Sequence, residues 1–368
     1  MRTPIFDKIL IHPDAADAEL THRILGNLPG VPTESADEAA FERHASGMTL
    51  TRGKRILVLT IGRGSLVKPC PGTSDPYLCC GYTVVNQQTH CPMDCTYCIL
   101  QNYLERPAIT VHVNTREILR QIGVLLESQP DRFFRIGTGE LTDSLALDPI
   151  TEISRDLLGF FSPRQNALLE LKTKTGCVSN LLAQPVRRAV VSWSINPPGV
   201  VKAEEHLSAS LDQRLSAAKK CAEAGFLIGF HFDPILLVDG WEQAYDGLVD
   251  CILSEVDPSR IAWISIGSLR FPPALKDVVE ARFPKSRITA GEMIRGLDGK
   301  MRYPKPVRLE LYRRIVGRIR EKSPDVFVYF CMEARDVWER VMGRAPDSNE
   351  DLDRQFTESL KRRYPELG

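Results

Sequence analysis

The 368-residue chain is expected to be an α/β protein built on an incomplete (β/α)6 TIM-like barrel, with a small N-terminal α/β unit and a C-terminal β-hairpin plus helices. Two observations carry this. From Cys91 onward, short apolar strand candidates alternate with amphipathic helix candidates, the pattern of βα units joined into a parallel sheet. Only about six such units fit, against the roughly eight of a closed barrel.

Ile9, Leu10 and Ile11 open the chain as a strand, and Pro13 with Asp14 start a helix that runs to about Leu28. Residues 1–52 form the small N-terminal unit. A strand-like run over 55–60 leads into an irregular stretch, 62–89, that carries Cys70, Cys79 and Cys80 among Pro and Gly. Strands are then expected near 133–136, 168–172, 189–194, 226–232 and 261–266, with one more leading into the cysteine loop. Helices near 115–128, 148–160, 209–224 and 241–255 lie between them. This assigns 53–290 to the partial barrel, with its cysteine loop at 90–99, and 291–368 to a basic hairpin and closing helices.

With 43% hydrophobic and 26% charged side chains, the chain can bury one substantial core. No apolar run approaches the roughly 18 residues of a membrane span, and no charged-then-apolar leader opens the sequence. A cytoplasmic monomer without membrane contact is the expectation. In a reducing compartment, ten cysteines serve as thiols or metal ligands rather than disulfides. The formal net charge is zero, yet thirteen Lys and Arg stand against four acids between Arg282 and Lys322. A solvated helix face gives the same count.

The chemistry concentrates in Cys91, Cys95 and Cys98, three thiols within eight residues. Structural zinc and ordinary electron-transfer clusters each take four protein ligands, so a loop of three leaves one metal position open. The zinc alternative stands if His90, Cys79 or Cys80 completes the set. In barrels of this kind the carboxy ends of the strands line the active site, which nominates residues 137–140, Lys174, residues 194–196 and Asp233.

With Tyr97 just before its last cysteine, the loop resembles that of the radical S-adenosylmethionine superfamily. The resemblance implies a [4Fe-4S] cluster on the three thiolates, with S-adenosyl-L-methionine chelated to the open iron. An electron from a flavodoxin or ferredoxin would then cleave the sulfonium to methionine and a 5'-deoxyadenosyl radical. Within the superfamily the chain resembles the spore photoproduct lyase family of DNA repair enzymes. The likeness runs through residues 11–13, 95–101, 173–174, 194–196, 214–220 and 233–235, in the family's order.

That likeness places Tyr97, Gly137, Gly139, Glu140, Lys174, Ser194 and Asp233 at the cofactor. The glycines would let backbone approach its methionine moiety, Lys174 would pair with its carboxylate, and Ser194 would bond its ribose or amino acid portion. Asp233 would hold a ribose hydroxyl or cap the next helix. Taken alone, residues 137–140 also read as a plain turn, a strand-end Lys as solvated and a strand-end Ser as part of a turn. The family also sets an Arg-Tyr hairpin beside the lesion, which here implies DNA contact by Arg302 and Tyr303.

Two positions depart from the family pattern. Gly137 stands where the family has its hydrogen-donating cysteine, and Ile99 where it has a relay tyrosine. Cys70, Cys79, Cys80, Cys177 and Cys331 are unassigned thiols, and Cys79 with Cys80 are the first candidates for a relocated donor. The expected function is a radical enzyme resembling spore photoproduct lyase and acting on a thymine-type DNA lesion. Alternatives are a radical enzyme acting on RNA, a peptide or a small metabolite, and a zinc-stabilised nucleic-acid binding module.

Overall fold

A computed structural model describes residues 6–72, 75–185 and 188–367. Its main sheet has eight strands. Seven are parallel and adjacent in chain order: β1 (Thr83–Val85), β2 (Phe134–Gly137), β3 (Ala167–Thr173), β4 (Ala189–Ser194), β5 (Leu227–Ile235), β6 (Ile261–Ser268) and β7 (Val328–Phe330). Val67–Pro69 adds an antiparallel edge against β1. Every residue of β4 and β6 is buried, as a parallel sheet covered on both faces requires.

The partial barrel thus has one more βα unit than the apolar runs suggest. Its seventh strand is three residues long and follows the basic helix Lys305–Lys322. A two-residue ladder, Glu333 with Leu78 and Ala334 with Tyr77, joins the chain after β7 to the chain before β1. It clips together the two ends of the rolled sheet.

Helices Thr115–Ser128, Leu211–Glu223 and Trp241–Glu255 lie where expected. The Leu211–Glu223 helix starts on a capping box, with Ser210 and Gln213 each bonding the other's backbone. The region 148–160 divides instead into Asp148–Thr151 and Ile153–Phe161, because Glu152 between them adopts a left-handed φ of 51°. Among the described residues no helix is long and apolar enough to cross a membrane.

A second sheet crosses the expected boundary at residue 52. Its order is Thr33–Ser35, Lys8–Ile11, Ile56–Thr60, Ile109–His112 and Gln88–Thr89. The N-terminal strand therefore finds its partner in 56–60, which in turn pairs with 109–112. Gln88–Thr89 runs straight into the cysteine loop, so that loop begins at an anchored strand.

Inside the partial barrel, Phe356 of the last helix, Asn349–Arg363, fills the region near the amino-terminal halves of the strands. Its ring lies 4.6 Å from that of Tyr329 and 5.9 Å from that of Trp263, and the Arg135 guanidinium stacks 3.6 Å over it. The lumen is packed there and polar toward the carboxy ends, where Lys172, Ser194, Asp233 and Cys331 are found. Phe356→Ala is expected to lower unfolding free energy by about 3–5 kcal/mol, the usual cost of an aromatic cavity. Denaturant titration checks it, and a loss under about 1 kcal/mol would show that the helix merely lies over the barrel.

Candidate metal centre and active site

The cysteine loop is held from both sides. Asp94–Cys95 forms a short antiparallel ladder with Glu205–His206, which registers Cys95 against Glu205. The Asp94 carboxylate accepts from Lys54 at 2.9 Å and from Arg282 through both oxygens at 2.9 Å. Burial disfavours its charge, but these cations still hold it below the ordinary carboxylate range. Thr96 donates through its backbone N–H to the Glu204 carbonyl at 2.9 Å and through its hydroxyl to the Glu204 carboxylate at 2.5 Å. Gln101 returns to the Thr96 carbonyl at 2.8 Å.

Burial sets the protonation of two of the three thiols. Burial pushes Cys91 up to about 12 and Cys95 up as well, and the neighbouring thiols add to both shifts. Lys54 at Cys91 and Lys174 at Cys95 oppose the rise. Such thiols bind metal by losing protons that burial otherwise keeps in place.

The fourth zinc ligand suggested by sequence is not brought in. The His90 Nε2 lies 2.8 Å from the Arg106 carbonyl, and burial lowers its titration to about 4. Cys79 and Cys80 lie in the run between the clip at Leu78 and β1, where Cys80 faces Arg135 and the Cys79 thiol. Among the described residues no three His, Cys, Asp or Glu side chains converge as they would on a single ion. A cubane differs, since it holds its thiolates apart at separate corners, and a loop of three neighbouring thiols fits that demand.

Beside the loop is a buried polar cradle. Glu205 and Arg214 form an ion pair with both side chains fully buried. Tyr97 donates its hydroxyl to Glu205, and Asn196 Nδ2 does so at 2.9 Å. Arg214 also donates to the Ser194 carbonyl at 2.8 Å. The Lys174 ammonium sits 5.0 Å over the Tyr97 ring and interacts with Glu205, Cys95 and Cys98. Burial works against the Glu205 charge, but Lys174 and Arg214 keep its titration below normal. Tyr97 and Lys174 therefore meet at Glu205, and Ser194 joins them through its carbonyl on Arg214, around a carboxylate and a guanidinium that the sequence reading did not nominate. The available signal was Arg214 itself, a charge on the buried stripe of Leu211, Leu215 and Ala218.

Other nominated residues are placed differently. A Cβ on Gly137 would overlap the Tyr82 hydroxyl, and one on Gly139 would lie 3.1 Å from the Lys172 Cβ. Both glycines thus make room for side chains of this chain. Glu140 accepts from Asn86 at 2.8 Å. Asp233 is held by Arg270 at 3.0 and 2.9 Å, and does not cap a helix; Arg270 also donates to the Cys331 sulfur at 3.2 Å. Asp143, missed in the sequence, accepts from the Thr173 hydroxyl and the Lys174 N–H at 2.7 Å each, and from two loop N–H groups. It fixes the loop after β2 to the end of β3.

The hairpin forms, pairing Ile294–Arg295 with Met301–Arg302, but its Arg-Tyr pair points inward. Arg302 is 2% exposed, bonds Asp298 at 2.7 Å and the Met332 carbonyl at 3.1 Å, and stacks 4.3 Å over Tyr77. Tyr303 is also buried, and its hydroxyl accepts from Leu237 N–H at 3.1 Å. Of the thirteen basic residues from Arg282 to Lys322, eight are in ion pairs, among them Arg314 with Asp246 and Arg318 with Asp250. Lys285, Arg287 and Arg295 are exposed and form no ion pair among the described residues, and Leu297 at the hairpin tip is 81% exposed.

Removing Glu205 strands Arg214 and Lys174 in the interior, so Glu205→Ala is expected to cost about 3–5 kcal/mol. The folded state lowers the pKa of Glu205, so its stabilisation is present above the ordinary carboxylate pKa and lost as pH falls through the depressed one. Denaturant titrations across the acid range check both points. A variant as stable as wild type, or a gap that widens with acidification, would contradict the assignment.

Comparison with known proteins places the chain among relatives. The family model for spore photoproduct lyase matches residues 54–321. The Clostridium acetobutylicum spore photoproduct lyase is 23% identical over 287 residues, covering 77% of this chain and 80% of that protein. The Geobacillus sp. spore photoproduct lyase is 32% identical over 209 residues, 55% of this chain and 61% of that protein. A solved spore photoproduct lyase mutant with dinucleoside spore photoproduct superposes with a TM-score of 0.79 at 25% identity, over 89% of this chain and 100% of that one. Another mutant, with bound AdoMet and the same dinucleoside, gives 0.77 at 24% identity over the same shares. The fold, the three-cysteine loop and the family match together establish that the chain belongs to the spore photoproduct lyase family of radical S-adenosylmethionine enzymes.

Proposed function

We propose that this enzyme repairs a thymine-type photolesion in DNA, using a [4Fe-4S] cluster on Cys91, Cys95 and Cys98 with S-adenosyl-L-methionine at the open iron. One observation carries the reading: three thiols on a doubly anchored loop stand directly beside the buried Lys174, Glu205 and Arg214 cradle. When bound, the cluster and cofactor supply one-electron cleavage of a sulfonium, with a flavodoxin or ferredoxin as electron source.

The residues of the chain bind and orient. Lys174 pairs with the cofactor carboxylate, and its position over Tyr97 and beside Glu205 keeps the ammonium aimed along the loop. Ser194, fixed through its carbonyl by Arg214, faces the same space. Asp233 and Arg270 form a paired unit near the end of the neighbouring β5. The packed lumen behind them keeps bulk water from the reacting centre.

DNA contact passes to different residues from those the sequence suggested. Lys285, Arg287 and Arg295, exposed and without an ion pair among the described residues, meet phosphates, and Leu297 projects from the hairpin tip as an apolar wedge. Arg302 and Tyr303 brace the hairpin from beneath.

Anaerobically reconstituted, reduced protein is expected to convert S-adenosylmethionine and a dinucleoside spore photoproduct to 5'-deoxyadenosine and restored thymines. Cys91→Ala should abolish both products, which chromatography with mass detection follows. Deoxyadenosine without restored thymine would reject the DNA lesion as substrate and favour a radical enzyme of another substrate.

A further inference from the structure

We propose that Tyr82 is the residue that gives a hydrogen atom to the substrate radical, an inference that rests on the lyase reading above. Tyr82 immediately precedes β1, and its phenol reaches across to the carboxy end of β2. A Cβ built on Gly137 would overlap the Tyr82 hydroxyl and stand 2.8 Å from the ring carbon that bears it. The hydroxyl therefore occupies the place of a side chain at position 137, where the strand opens into the loop of Gly139 and Glu140. Tyr82 keeps part of its surface accessible.

The surroundings suit this role. Glu170 of β3 lies beside the phenol and accepts from the Ser192 hydroxyl at 2.5 Å and from His231 Nε2 at 2.8 Å. Burial opposes ionisation of Glu170, but His231, Ser192 and Lys172 overcome it and bring its titration to about 2. Burial and this carboxylate both raise the Tyr82 titration well above normal, so the phenol stays protonated. A hydrogen-atom donor needs the intact O–H bond, and a phenoxyl needs a proton source nearby to regain it.

The step balances. The carbon radical left on the thymine takes hydrogen from Tyr82, so a C–H bond forms, the O–H bond breaks and a phenoxyl remains. A low-potential one-electron carrier of the flavodoxin or ferredoxin class then reduces the phenoxyl, and the Glu170 and His231 pair passes in a proton from solvent.

Two measurements test the proposal. In unfolding of the metal-free protein, Gly137→Ala should lower the midpoint in wild type but far less in a Tyr82→Ala background, the coupling expected of groups in contact. A neutral Gly137→Ala would remove the phenol from position 137 and overturn the proposal. In the loaded enzyme, Tyr82→Phe should form deoxyadenosine within about twofold of wild type while restored thymine falls at least about tenfold. In heavy water, wild type should place deuterium in the thymine methyl and Tyr82→Phe should not. Full thymine repair by Tyr82→Phe, with loss of repair in Cys79→Ser, Cys80→Ser or Cys331→Ser, would move the role to a thiol and overturn only this proposal. A wild type that forms no deoxyadenosine would instead reject the lyase reading on which it rests.

Discussion

One buried carboxylate, Glu205, ties the metal loop to the barrel. Its backbone pairs with Cys95 and its side chain gathers Arg214, Tyr97, Asn196 and Lys174. A lone charge in that position would be untenable, because desolvation costs several kcal/mol per ion and only paired, hydrogen-bonded ions persist in an interior. Loop position, Lys174 orientation and the end of β4 are therefore set by a single charge balance. Replacing the unit by apolar side chains would keep a core but remove the polar wall that faces the three thiols.

The lumen obeys a second constraint, which is space. Parallel strands bring their inward side chains into one narrow column, so large polar groups fit only where a neighbour gives up its Cβ. Gly137 yields to Tyr82, Gly229 to Ser192 and Trp263, and Gly267 to Arg270 and Asp233. Gly137 is thus part of a layer that includes Tyr82, Glu170 and His231.

Much of the barrel was legible because buried parallel strands are continuous apolar runs, as in Ala189–Ser194, whose bounds the sequence gives to the residue. Val328–Phe330 escaped because three residues show no period, and its strand character comes from pairing with β6. The N-terminal sheet shows a related limit: pattern shows that a strand exists but not that 56–60 joins 8–11. At the site, the three cysteines announce themselves by spacing, whereas Glu205 looks like an ordinary surface charge until the fold buries it and Arg214 is marked only by its place on an apolar helix stripe. The basic segment misled in the opposite direction. Its arginines are balanced by Asp246 and Asp250, which lie 68 residues upstream of Arg314 and Arg318 on an adjacent helix, and a local charge count cannot register them.

The proposed chemistry requires Cys91, Cys95 and Cys98 to hold a cluster that would leave one iron free for S-adenosylmethionine. Electron paramagnetic resonance of the reduced, anaerobically prepared protein tests this most directly. The expected result is a [4Fe-4S] signal whose shape changes when S-adenosylmethionine is added. Protein that binds no iron, or a cluster whose spectrum is indifferent to S-adenosylmethionine, would contradict it.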